Sequence, residues 1–155
     1  MIACATRPRP ALILVAGVVA WFIGPSTAAA QTDQIRAYLQ RANPGCTINL
    51  SPQPAPSGHV KGTGKAITVV QYLAEGCGGG NNWSSRFAVF NDDNGQLTEL
   101  EPASPVPGQV DNLALNKNVI VVRAHEYKQS DAHCCPSKAV TYRFVVRDGR
   151  LVSEQ

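Results

Sequence analysis

Lys65-Ala66-Ile67-Thr68-Val69-Val70-Gln71-Tyr72-Leu73-Ala74 is the stretch on which the fold turns. It is dense in β-branched and aromatic side chains, which pack well on a pleated surface and lose rotamer freedom in a helix, so it predicts a strand. The glycine-rich loop Glu75-Gly76-Cys77-Gly78-Gly79-Gly80-Asn81-Asn82-Trp83 follows, and then the alternating segment Ser85 to Asn91. Asp92-Asp93-Asn94-Gly95 is a turn into a further strand, Gln96 to Leu100. Beyond a loop with three prolines, Glu101 to Gly108, the β pattern restarts: Asn116 to Tyr127, Ala139 to Arg147, the turn Asp148-Gly149, and Arg150 to Ser153.

The restart suggests an internal repeat. Placing Cys77 on Cys134 also places Arg86-Phe87-Ala88-Val89 on Arg143-Phe144-Val145-Val146, and both blocks then pass through a glycine turn to a leucine. Upstream, Ile35, Tyr38, Leu39 and Ala42 recur at the spacing of one helical face. They predict a helix from Asp33 to about Asn43, capped by Thr32 or Asp33 and stopped by Pro44-Gly45. A short strand, Cys46 to Leu50, precedes the proline-rich loop Ser51 to Gly58. The expected fold class is α+β: an N-terminal helix packed on a twisted antiparallel sheet of about six strands, in two repeated β units braced by disulfides.

Residues 1–30 read as a signal peptide. Arg7 and Arg9 precede an apolar stretch from Ala11 to Gly24, and Pro25 and the small residues Ser26-Thr27-Ala28-Ala29-Ala30 follow it. The stretch is short of the roughly 20 residues that span a bilayer, so the expectation is cleavage after Ala30, no membrane anchor afterwards, and one exported domain over 31–155. Export places it in the periplasm where there is an outer membrane, and outside the cell otherwise. Removing Arg7 and Arg9 leaves 12 of the 14 Lys and Arg against 11 Asp and Glu, scattered along the chain. That balance argues against nucleic acid or an anionic membrane as partner.

Beyond Cys4 in the leader, the cysteines are Cys46, Cys77, Cys134 and Cys135, an even number in an exported chain. Neighbouring Cα atoms lie about 3.8 Å apart, below the preferred span of a disulfide, so each of the adjacent cysteines is expected to reach a distant partner. The repeat favours Cys77 with Cys134 and Cys46 with Cys135. The same cysteines with His133 number enough for tetrahedral zinc but lack paired ligand spacings, and a redox centre lacks Cys-x-x-Cys. Neither metal nor cofactor is expected.

Two surfaces invite a functional reading. Asn81, Asn82 and Trp83 end the glycine-rich loop, where a large aromatic in polar surroundings reads either as a cap on the edge of the core or as an exposed contact anchor. His125-Glu126-Tyr127 with Asp131 and His133 is the second cluster, whose imidazoles and carboxylates suit acid–base chemistry or a divalent metal. Strand alternation instead separates His125 from Glu126 and leaves Asp131 to initiate a turn. No Gly-x-Ser-x-Gly or His-Glu-x-x-His occurs, so no enzyme class is supported.

Asp131-Ala132-His133-Cys134-Cys135-Pro136-Ser137, followed by Thr141-Tyr142-Arg143-Phe144, resembles the signature of the LppP/LprE family of bacterial envelope lipoproteins. The resemblance implies an envelope protein and transfers no activity. No lipobox cysteine follows the apolar stretch, so lipid anchorage does not carry over. The sequence therefore leads to a small exported, non-catalytic binding or inhibitor-like protein whose partner is an envelope protein or glycan. The alternative is a small hydrolase or metal-binding protein using His125, Glu126 and His133.

Overall fold

The computed structural model describes residues 27–51, 57–59, 65–93, 95–101, 106, 108–132 and 134–154. Among these, one helix, α1 (Thr27–Ala42), leads into nine strands. They are β1 (Thr47–Leu50), β2 (Ser57–His59), β3 (Ala66–Glu75), β4 (Trp83–Asp93), β5 (Gln96–Glu99), β6 (Gln109–Asn116), β7 (Val119–Glu126), β8 (Lys138–Arg147) and β9 (Arg150–Glu154). All pairings are antiparallel. The α+β class holds. The strands, however, form two sheets rather than one of about six: β1-β3-β4-β5 with β2 beside β1 on the edge of β3, and β6-β7-β8-β9.

β3 explains why there are two sheets. It is apolar on both faces, so each face needs a cover. Val70, Tyr72 and Ala74 join Ala88 and Phe90 of β4 beneath Ile35 and Leu39 of α1. On the other face Ile67 and Val69 meet Val110, Ile120, Val122, Phe144 and Leu151 of the second sheet. The layers run helix, sheet, sheet, and Phe90, with no exposed surface, sits edge-on to Tyr38 at 5.4 Å between ring centres.

α1 already includes Thr27, well before the expected Asp33, because Ala28-Ala29-Ala30 are the strongest helix formers. Thr32 and Asp33 consequently lie inside the helix rather than capping it. The Thr32 hydroxyl donates to Ala28 O at 3.0 Å, and Asp33 pairs with Arg36 at 3.3 Å. The expected cleavage point after Ala30 falls within this helix; the rest of the leader lies outside the described residues. Ile35 and Leu39 are buried as expected and Ala42 is exposed. Asn43 ends the helix by donating twice to Leu39 O, from its backbone N at 3.0 Å and its amide at 2.8 Å, and Gly45 follows at φ +77°.

The disulfides differ from the expected pairing. Cys46 bonds Cys77, and Cys134 bonds its neighbour Cys135. Register accounts for the first: Thr47 lies opposite Glu75, so the cysteines just beyond this end of the β1–β3 ladder face one another. Cys134 and Cys135 belong to the β7–β8 connection in the other sheet, so the expected links Cys77–Cys134 and Cys46–Cys135 are not made. The proline loops expected at 51–58 and 101–108 lie largely outside the described residues, although Ser57 and Gly58 belong to β2.

Candidate functional site

The site grows from the end of β3. Gly78 and Gly79 take φ of +72° and +80°, values only glycine adopts without strain, and Gly76 N donates to Asn82 O at 2.8 Å. This closed loop delivers Trp83 as the first residue of β4, opposite Glu75. Trp83 is 52% exposed and Tyr127, just after β7, is 45% exposed; among the described residues they are the large hydrophobic side chains left on the surface. Both border one groove of about 850 Å³ between the two sheets.

A polar latch forms the groove's floor. Ser85 N donates to the Gln109 side-chain oxygen at 2.5 Å, the Ser85 hydroxyl donates to Val110 O, and the Gln71 amide donates to the same carbonyl at 2.9 Å. Ser85, Gln109 and Val110 therefore hold β4 against the start of β6 while lining the groove. Gly108 makes the approach possible: a Cβ there would stand 2.0 Å from His125 O. The chain enters β6 tight under the end of β7, which sets Gln109 on the same groove as Tyr127.

Arg86, Glu99 and Asn82 complete the polar lining. The Arg86 guanidinium is oriented by Asn43 Oδ1 at 3.0 Å and Ser84 Oγ at 2.9 Å. Burial raises the Glu99 carboxyl above the usual carboxylate range, against a hydrogen bond from Tyr38 that lowers it. One guanidinium and one carboxyl leave the groove with little net charge. A smaller recess of about 330 Å³ adjoins it, bordered by Glu75, Gly76, Asn81, Asn82 and Trp83. The expected surface Asn81, Asn82 and Trp83 is thus brought together, with Asn82 and Trp83 shared by both hollows.

Of the second cluster, the described residues His125 and Glu126 turn to different partners. His125 Nδ1 pairs with Asp111 Oδ2 at 2.7 Å, whereas the next residue, Glu126, points to the other face and accepts from Lys138 Nζ at 2.8 Å and from the Tyr142 hydroxyl. Those two hydrogen bonds, Lys138 first, hold the Glu126 carboxyl below its usual range. Burial, and then Glu126, push Tyr142 up to about 12. Asp131 takes a turn-holding position: its carboxylate accepts from Lys128 N, Ser137 N and Ser137 Oγ, each at 2.8 Å. His133 lies outside the described residues, and among those described no three His, Cys, Asp or Glu are grouped to hold a metal ion.

Arg86, Glu99, Gln109 and Gly108 gained no place in the site from sequence, and Tyr127 groups there with His125 and Glu126 rather than with Trp83. Nothing local marks the shared groove, because it exists only where the two sheets dock. Compared with known proteins, the chain matches no family model, no curated protein and no solved structure.

Proposed function

We propose that this chain is an exported, non-catalytic binding protein of the cell envelope, with a neutral glycan held in the groove edged by Trp83 and Tyr127. The observation that carries it is the convergence of both exposed aromatics on a single groove. Flat aromatic faces receive the C–H faces of sugar rings, and Asn82, Gln109, Arg86 and Glu99 offer the donors and acceptors that hydroxyls need. The near-cancelled charge favours a neutral ligand over an anionic one, and favours a glycan over a charged segment of an envelope protein. The likeness of Asp131 to Ser137 to the LppP/LprE signature supports an envelope setting. The sheets also fit two copies of one β unit, since a cysteine loop joins the long strands in each, β3 to β4 and β7 to β8. By contrast, a hydrolase or metal site has no joined His125–Glu126 pair to build on.

Trp83 is the one tryptophan after residue 30, so its fluorescence reports directly on the groove. Titration with neutral β-linked and α-linked oligosaccharides is expected to change it saturably, and Trp83→Ala, followed by calorimetry, to weaken binding by about tenfold or more. No saturable binding of any neutral oligosaccharide, or an unchanged affinity in Trp83→Ala, contradicts the proposal.

A further inference from the structure

The two disulfides do different things, and we propose that Cys134–Cys135 is a thiol–disulfide exchange site whose co-reactant is a dithiol. It stands independently of the groove. Cys46–Cys77 joins residues 31 apart and packs into the cluster under α1, Cys46 being only 9% exposed. Cys134–Cys135 joins adjacent residues, so it constrains almost none of the unfolded chain, and both cysteines are exposed on the β7–β8 loop. A bridge that contributes little to stability and stands open to a reagent is of the labile, exchangeable kind. Exposure separates the two bridges more sharply than spacing does, since their Cα–Cα distances are 4.2 Å and 3.8 Å.

Ties other than the bridge also hold the loop. Asp131 ties Lys128 on one side to Ser137 on the other, and Cys135 N donates to Ala132 O at 2.9 Å. Opening the sulfur–sulfur bond therefore leaves two neighbouring thiols on a pinned turn, ready to close again. In the exchange, a thiolate of the dithiol attacks one Sγ, the Cys134–Cys135 bond breaks, and the released cysteine thiolate takes a proton. The second thiol of the reagent, as thiolate, then attacks the mixed disulfide and frees the other cysteine, which is protonated in turn. Two electrons and two protons pass to the cysteine pair, and the reagent ends as a disulfide.

The test is a dithiothreitol titration of the folded, full chain, quenched with iodoacetamide and mapped by peptide mass spectrometry. Cys134 and Cys135 are expected to be alkylated together at a reductant concentration about tenfold or more below that needed for Cys46 and Cys77, and to re-form their bond with oxidised glutathione. Opening of Cys46–Cys77 first or at the same concentration overturns the proposal. So does resistance of Cys134 and Cys135 until the protein unfolds, or failure of the opened pair to re-form.

Discussion

Glu99 and Gly108 show what single residues do for the groove. Because burial raises the Glu99 carboxyl in the folded protein, between the unfolded and the folded value the folded state holds a proton that the unfolded chain has released. Its contribution is thus most favourable below the unfolded value, near pH 4, and is lost as pH rises through the folded one. Glu99→Gln is expected to raise the melting temperature at pH 7 by about 1–2 °C, with the gain fading toward pH 4; scanning calorimetry across that range decides. Glu126 has the opposite sign: its lowered carboxyl stabilises the fold above the unfolded value, and that is lost as pH falls through the folded one. At Gly108 the limit is steric. A methyl group would meet His125 O at 2.0 Å on a backbone already at φ +96°. Gly108→Ala should cost about 2 kcal/mol or more in chemical denaturation and also weaken binding, because the start of β6 must move away from Tyr127.

At the scale of elements, the long strands were legible and the strand that builds the site was not. Lys65 to Ala74 announced β3 within a residue at each end, since its β-branched run has one stable pleated solution. β6 (Gln109–Asn116) leaves no clear pattern in the sequence because Asp111 and Asn112 interrupt its alternation and the register shifts between Val110 and Asn112. With β6 unseen, the docking of the second sheet, and so the groove, had no signal. The disulfide pairing is not legible in sequence for a related reason: ladder register decides which cysteines meet, and register is not written in spacing alone. Replacing Cys46 and Cys77 by serine is expected to cost roughly 3–4 kcal/mol of stability by loop-closure entropy. The same exchange at Cys134 and Cys135 should cost less than about 1 kcal/mol; equal losses in urea denaturation contradict the division of roles drawn between the bridges.

For the whole molecule, the junction of the two sheets is both one of the two cores and the floor of the groove. Ile67, Val69 and Val89 meet Ile120, Val122 and Phe144 there, and the Ser85–Gln109–Val110 latch borders that apolar layer. Ser85→Ala removes one donor to Val110 O while Gln71 keeps its own, so a loss of about 1 kcal/mol is expected, alongside a weakened ligand response from the altered floor. Stability and binding are therefore coupled through one seam, with Trp83 and Tyr127 at its open edge. The most direct test is chemical-shift mapping of the isotope-labelled protein during titration with a neutral oligosaccharide. The predicted result is saturable shifts at the Trp83 indole, the Asn82 and Gln109 side-chain amides and the Tyr127 backbone, with His125 and Asp111 unmoved; no shifts in the groove, or shifts centred on His125 and Asp111, would contradict it.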